Sequence, residues 1–288
     1  QHRFEFFPAL SIGWVASGEK FWQPVSKYID YFKVRSSYGL VGSDETGSLA
    51  GAAHFLYLNT VNMYGGMKFS SGYQANLTMN GPVITQYAVQ DPHWERAKEF
   101  DLGIDMRILN QINITLDYYH NKRERILMRR ASFPAILGYS AAVPYSNIGK
   151  VDSKGFEISV NWEKKFSRDL SIDIRANYTY SKNQQTYIDE PDYPYSWQRA
   201  TGRSVGYLTG FIAEGLFTDQ EDIYTHADQS AFGSRIMPGD IKYKDINGDC
   251  KITDEDKVAL TDYGTLPRIQ YGFGISIAWK KLDANVFF

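Results

Sequence analysis

The chain has 288 residues with 31 basic and 33 acidic side chains, and its net charge of −2 excludes the basic surface typical of nucleic-acid-binding proteins. Hydrophobic residues make up 43% and charged residues 22%, which excludes a chain that is disordered throughout. No run of about eighteen apolar residues occurs and the mean hydropathy is −0.40, so a helical membrane protein is excluded, whereas a β-barrel with alternating strands is not.

Eight segments alternate apolar and polar residues, which is the period of a β-strand. Most of them run for about 9 to 14 residues, whereas strands of soluble proteins centre on about 5 to 6 and a membrane-crossing strand needs roughly 9 to 11. The lengths favour an all-β transmembrane antiparallel β-barrel. A large soluble β-sandwich is the alternative, and it explains the alternation but not the lengths. In chain order the segments lie near 6–16, 31–40, 98–109, 112–125, 155–163, 170–183, 269–279 and 282–288.

The connections between these segments fall into two classes. Short turns are predicted at 110–111, 164–169 and 280–281, and long connections at 42–97, 126–154 and 184–268. Outer-membrane barrels have short periplasmic turns and long extracellular loops, so we expect 184–268 to lie outside the cell. The connection 17–30 fits either a short amphipathic helix at the periplasmic rim or a packed loop.

The strand pleat predicts two faces of opposite chemistry. Side chains two positions apart point the same way, so the apolar set faces lipid and the charged set faces the barrel lumen. The predicted lipid-facing residues are Leu102, Ile104, Ile114, Ile158, Ile172 and Ile275, and the predicted lumen residues are Asp101, Asp105, Glu157, Asp173 and Arg175.

One acidic segment, 245–256, has the residue order of an EF-hand-like calcium loop. Calcium takes six to eight hard oxygen ligands, and such a loop supplies them from positions 1, 3, 5, 7 and 12. The sixth position usually holds Gly with φ above zero, but here it holds Cys250. The alternative is a metal-free acidic turn held by Asx hydrogen bonds. The predicted ligands are Asp245, Asn247, Asp249, the carbonyl of Lys251, and Asp256.

An aromatic tract in the same long connection is the candidate substrate contact. Tyr193, Tyr195 and Trp197 offer flat rings that stack on sugars or peptide side chains, although loop–loop packing is the simpler explanation. The five histidines show no metal-ligand spacing, and no nucleophile or phosphate-loop motif occurs. We therefore predict no enzymatic activity.

Several sequence strings are spread in order along nearly the whole chain. They are Phe6 to Trp14, Phe32 to Gly39, Trp94-Glu95 leading into Phe100 to Asp105, Asp117 to Tyr119, Ser153 to Ser159, Gly215 to Phe217, Pro238 to Asp249, and Tyr271 to Phe288. Together these strings resemble the SusC/RagA family of TonB-dependent outer-membrane transporters.

The resemblance implies a 22-stranded barrel with a plug domain, a periplasmic segment that contacts TonB, and a SusD-like surface lipoprotein as a lid. No plug or TonB-contacting segment is recognised here, so 1–288 is expected to be part of one barrel domain. The expected function is active import of a bulky oligosaccharide or peptide across the outer membrane of a Gram-negative cell, with 184–268 contacting the lid. Two alternatives remain open, a passive porin and a soluble calcium-dependent carbohydrate-binding β-sandwich.

Overall fold

The secondary structure is almost entirely β. The structure is a computed structural model that describes residues 4–44, 56–66, 68–73, 77–89, 91–132, 144–233 and 235–288. Its strands in chain order are β1 Ala9–Val15, β2 Ile29–Ser43, β3 Thr60–Asn62, β4 Lys68–Ser71, β5 Leu77–Asn80, β6 Val83–Gln86, β7 Glu95–Ile108, β8 Ile112–Arg129, β9 Tyr145–Lys165, β10 Leu170–Tyr187, β11 Thr209–Gly210, β12 Ala213–Leu216, β13 Ile241–Tyr243, β14 Val258–Ala259, β15 Ile269–Trp279 and β16 Leu282–Phe287.

Eight of these strands form one antiparallel sheet in the order β1-β2-β7-β8-β9-β10-β15-β16. Each long strand therefore pairs with the next long strand along the chain, and all eight predicted segments are present. The described strands form no second sheet packed face to face against this one, so the β-sandwich alternative is wrong. Within the described residues β1 and β16 do not pair with each other, and the sheet is open, as expected for part of a larger barrel.

The register separates two faces. Leu102 lies opposite Tyr118, and Ile104 lies opposite Leu116, which in turn faces Ile158. The remaining residues of the predicted lipid set lie in the same rows of the sheet. All five predicted lumen residues lie in the alternate rows. The apolar face and the polar face of the sheet are thus as the alternation predicts.

The sheet has a turn end and a loop end. At the turn end, short connections join β7 to β8, β9 to β10 and β15 to β16, and residues 16–28 join β1 to β2. The connection 16–28 contains two short 3-10 segments, Ala16–Gly18 and Lys20–Trp22, and no amphipathic α-helix. The packed-loop alternative is therefore correct. Trp22 stacks on Phe32 at 5.0 Å between ring centroids, which packs this connection against β2.

Strands β8 and β9 are longer than the alternation predicts. The sequence pattern ends near 125 and begins again at 155, but β8 continues to Arg129 and β9 begins at Tyr145. A strand of 21 residues rises about 70 Å, far more than a bilayer needs, so β9 extends well beyond the membrane at the loop end. Both faces are wet there, which removes the alternation, and a bulge near Arg125 (φ 60°) interrupts the register.

The long connections at the loop end carry their own small ribbons. In the connection after β2, β3 pairs with β6 and β4 with β5; in the connection after β10, β11 pairs with β14 and β12 with β13. The longest helix in the described residues is α1, Gln220–Thr225, and none of their helices is long and apolar enough to cross a membrane.

Candidate functional site

The polar face of the sheet carries an ion-paired cluster on β2, β7 and β8. The Arg35 guanidinium contacts the carboxylates of Asp105 at 3.2 Å and Asp117 at 2.6 Å. Gly103 is the cross-strand partner of both Arg35 and Asp117, and a Cβ on Gly103 would come within 2.5 Å of the Arg35 side chain. Beside the cluster is an open cavity of about 250 Å³, whose lining includes Lys33, Arg35 and Asp101. Charges so arranged suit a water-filled lumen.

The connection between β10 and β15 folds into a module of its own, and its best-buried point is the acidic loop 245–256. Ile252 and Asp256 have no exposed surface. The Asp256 carboxylate accepts backbone N–H bonds from Ile246 at 2.9 Å, Asn247 at 3.3 Å and Thr253 at 2.8 Å. A buried carboxylate with three donors is satisfied and holds both ends of the loop together.

The other predicted calcium ligands also accept bonds from the loop backbone. Asp245 accepts from Gly248 at 2.7 Å and Cys250 at 2.8 Å, and Asn247 accepts from Asp249. Asp249 accepts from Lys251, and Cys250 has the expected left-handed φ of 63°. The loop is thus held by hydrogen bonds from its own backbone to its Asp and Asn side chains. No three His, Cys, Asp or Glu side chains in the described part of the chain gather closely enough to hold a metal ion.

The acidic loop is attached to a neighbouring segment at its sixth to eighth positions. The Asp228 backbone N–H donates to the Cys250 carbonyl at 2.9 Å, and the Ile252 N–H donates to the Asp228 carbonyl at 2.8 Å. The Ser230 backbone N–H and hydroxyl donate to the Asp228 carboxylate and lower its pKa, so it remains ionised at neutral pH.

The aromatic tract is joined to the acidic loop. Tyr195 and Trp197 stack at 4.6 Å between ring centroids with an interplanar angle of 9°, and the indole N–H of Trp197 donates to the Glu255 carbonyl at 2.9 Å. Tyr193, Tyr195 and Trp197 are all half-buried. The structure therefore brings Trp197, with Tyr195 stacked on it, against one end of the predicted calcium loop, an arrangement that the sequence does not reveal.

A second contact that the sequence does not reveal joins two loop-end segments. The Asp189 side chain, 7% exposed, accepts from Arg130 at 2.9 Å and from the backbone N–H and hydroxyl of Ser132. Burial raises the pKa of Asp189, but these hydrogen bonds and the Arg130 charge outweigh it, and the net pKa is lowered. The residues are 57 to 59 positions apart, so no local pattern indicates the pairing.

Comparisons with known proteins agree with this architecture. TonB-dependent receptor P3 of Formosa agariphila is 27% identical to the chain over 302 aligned positions, which cover 100% of the chain and 28% of the receptor. TonB-dependent receptor SusC of Bacteroides thetaiotaomicron is 26% identical over 199 positions, covering 67% of the chain and 18% of SusC. The chain therefore spans less than a third of the length of these relatives.

The fold also matches a solved transporter. The structure of the RagAB peptide transporter superposes with a TM-score of 0.69 at 18% identity, covering 98% of this chain and 28% of that one. The relatives are receptors, in agreement with the prediction that the chain is not an enzyme. Residues 4–286 match the family model described as TonB dependent receptor-like, beta-barrel, and the chain belongs to this family of outer-membrane β-barrels.

Proposed function

We propose that the complete protein imports a bulky nutrient, an oligosaccharide or a peptide, across the outer membrane with energy supplied through TonB. Family membership over residues 4–286 carries this proposal. This segment supplies part of the barrel wall and the long loops, with the Arg35 cluster facing the lumen and the apolar face in lipid. The description of the matched RagAB peptide transporter names a peptide, which supports the peptide alternative. The oligosaccharide alternative rests on the resemblance to the SusC/RagA family.

The test of this function is energised uptake by cells that make the full-length protein. Uptake of a labelled oligosaccharide or peptide mixture should be saturable and should disappear when TonB is deleted or the proton gradient is collapsed. The alternative with the same architecture is a passive porin. It would pass substrate at the same rate in untreated cells, in cells without TonB and in cells with a collapsed proton gradient. TonB-independent uptake would therefore overturn the proposal.

The loop end is proposed to face the cell exterior. Three connections at the turn end are short and the loop-end connections are long, which is the asymmetry of outer-membrane barrels. Cys250, the single cysteine of the chain, is exposed in the module after β10. A membrane-impermeant maleimide should label intact cells at Cys250, and Cys250→Ser should remove that label. Labelling of Cys250 only after cell lysis would show that the loop end does not face the cell exterior.

Residues 184–268 are proposed to contact a SusD-like surface lipoprotein and the substrate, with Tyr193, Tyr195 and Trp197 as the contact rings. Stacked, half-buried aromatic rings lose little side-chain freedom on binding. We expect Trp197→Ala to weaken lipoprotein association or uptake. The matched control is Tyr224→Ala, which removes an 80% exposed ring from α1 in the same module and should leave both unchanged. Equal effects of the two variants would contradict the assignment.

Calcium binding to the loop 245–256 is likewise a proposal. The closed backbone and the all-oxygen ligand set support it, while the Asp carboxylates must move toward a common point to hold the ion. Calcium should raise the melting temperature of the full-length protein in detergent, and a chelator should reverse the increase. Asp249→Ala should abolish the calcium effect. A melting temperature that is independent of both calcium and chelator would contradict calcium binding and would favour the metal-free turn.

A further inference from the structure

Negative charge is concentrated on one part of the polar face. Four successive rows of this face cross β7, β8, β9 and β10, and they contain no Lys, Arg or His. We name these rows the acidic wall. Its carboxylates are those of Glu99, Asp101, Asp105, Asp117 and Glu157.

The cations nearest to the acidic wall do not neutralise it. Arg35 on the neighbouring β2 is shared by Asp105 and Asp117. In the described part of the chain, Glu99, Asp101 and Glu157 have no ion-pair partner. Glu157 is exposed and lies directly opposite Asp117, and like charges in that position destabilise a sheet. The wall therefore has a net negative charge that a cationic ligand would relieve.

Tyr119 lies in the middle of the acidic wall and is the only aromatic residue of its four rows. Its cross-strand partners are Asp101 on β7 and Gly155 on β9. A Cβ on Gly155 would come within 2.6 Å of the Tyr119 hydroxyl oxygen, so the half-buried phenol lies over Gly155 along the wall. The face of a Tyr ring attracts ammonium and guanidinium groups. This ring therefore favours the same kind of ligand as the carboxylates beside it.

The hydrogen-bonding groups around Tyr119 are mainly acceptors. The Asn121 amide donates to Glu99 at 3.0 Å, while its Oδ1 atom is buried without a hydrogen-bond partner in the described structure. The Ser37 hydroxyl donates to the Asp101 carboxylate at 3.3 Å. Each carboxylate can accept further bonds, and ammonium and guanidinium groups donate without accepting. Cationic side chains therefore complement the wall in hydrogen bonding as well as in charge.

The spacing of the carboxylates indicates an extended ligand. No three His, Cys, Asp or Glu side chains of the described residues gather closely enough to hold a metal ion, so the wall does not focus on one point. Glu99 and Asp101 are two positions apart on β7, which is about 7 Å along a strand. Alternate side chains of an extended peptide have the same spacing. Several cationic side chains of one peptide could thus contact the wall together.

We propose that Glu99, Asp101, Tyr119 and Glu157 bind the Lys or Arg side chains of an extended basic peptide as it passes through the lumen. The inference rests on the proposed import function and specifies its substrate class. A surface of one charge sign raises the local concentration of ligands of the opposite sign, and Asp and Glu side chains that line a pore favour cations. The acidic wall would therefore favour basic peptides over neutral and acidic ones.

Peptide binding and uptake by the full-length protein test this inference. The probes are labelled hexapeptides that alternate Ala with Lys, Gln or Glu. Binding is measured by fluorescence anisotropy in detergent, and uptake by cells is normalised to maleimide labelling of Cys250. The wild type should bind the Lys peptide most tightly and the Glu peptide least. Asp101→Asn/Glu157→Gln should weaken binding of the Lys peptide about tenfold and leave the Gln peptide unaffected, because it removes charge at nearly constant side-chain size.

Tyr119 is tested separately from the carboxylates. Tyr119→Phe keeps the ring face and should retain the preference for the Lys peptide, whereas Tyr119→Leu should reduce it about threefold. The matched control for the double variant is Asp173→Asn/Asp283→Asn, which also removes two carboxylates from the polar face. Both residues lie near the turn end, and Asp173 is paired with Arg175 at 2.9 Å, so this control should leave the preference unchanged.

Several results would overturn the inference. They are equal binding of the Lys and Gln peptides by the wild type, an unchanged preference in Asp101→Asn/Glu157→Gln, and an equal loss in the control. Competition by a chitosan trisaccharide as strong as that by the Lys peptide would assign the wall to amino sugars and would also overturn it.

Failure of this inference is distinguishable from failure of the import proposal, because binding in detergent does not require TonB. TonB-dependent uptake of all three peptides without a charge preference would overturn only the inference about the acidic wall. Charge-dependent binding without TonB-dependent uptake would overturn only the import proposal.

Discussion

Asp256→Asn should open the acidic loop locally. Asp256 has no exposed surface and accepts three backbone N–H bonds, from Ile246, Asn247 and Thr253. An amide has one acceptor oxygen, so its NH₂ group must face a backbone donor, most directly that of Thr253. Bonds to a charged acceptor contribute about 1.5–3 kcal/mol each, and an unmatched buried donor costs about 1–3 kcal/mol. We expect the free energy of local opening to fall by about 2–4 kcal/mol.

Hydrogen exchange of the full-length protein, read by mass spectrometry on peptides covering 245–256, measures this change. A loss of 2–4 kcal/mol corresponds to exchange that is roughly thirty- to several-hundred-fold faster. The matched control is Asp254→Asn in the same loop, where the side chain is 88% exposed and forms an ion pair with Lys257. Such a surface pair contributes about 0–1 kcal/mol, so exchange should change less than about fivefold. Equal exchange in the two variants would refute the structural role of Asp256.

Three further predictions concern single residues. Cys250→Gly should slow exchange of the acidic loop about fivefold, because a left-handed φ of 63° costs a non-glycine residue about 1 kcal/mol; unchanged or faster exchange would contradict this. Gly155→Ala should abolish the heat-modifiable folded band of the barrel on a gel, because the added Cβ would lie 2.2 Å from the Tyr180 carbonyl oxygen, whereas Gly18→Ala, with open space at that position, should leave the band intact. Because the pKa of Asp189 is lowered, its contribution to stability is fully present above its ordinary value of 3.8 and is lost as the pH falls through the lower folded-state pKa. Exchange of the 188–204 peptide, corrected for intrinsic rate, should therefore be constant from pH 7 to about 5 and accelerate only below about 4, and Asp189→Asn should remove that acid step.

The strands inside the membrane could be predicted because lipid and lumen impose opposite demands on alternate residues. Leu102 and Asp101 are adjacent in the chain and lie on opposite faces, as the pleat requires. The same argument does not reach residues 145–154 of β9, where both faces are wet and polar residues follow one another. The alternation therefore stops at the membrane boundary, whereas β9 continues beyond it.

The candidate site was predictable in its residue types but not in its contacts. The residue order in 245–256 predicts a left-handed sixth residue, and Cys250 has that conformation. The bond from Trp197 to Glu255 spans 58 positions, and no periodic pattern connects two such residues. The contacts of Arg35 with Asp105 and Asp117 likewise depend on the register of β2, β7 and β8.

The self-contained ribbons between β10 and β15 have a consequence for the speed of folding. Formation of a hairpin such as β7–β8 closes a loop of three residues, whereas pairing of β10 with β15 closes a loop of about 80 residues. Closing a flexible loop of that length costs about 2–3 kcal/mol more entropy than closing a hairpin, which slows pairing. Backbone bonds join Gly202 and Arg203 to Gln185, and Arg268 to Ser181. If the module between β10 and β15 folds first, the loop that remains to be closed is effectively shorter. The folded module then positions β15 beside β10.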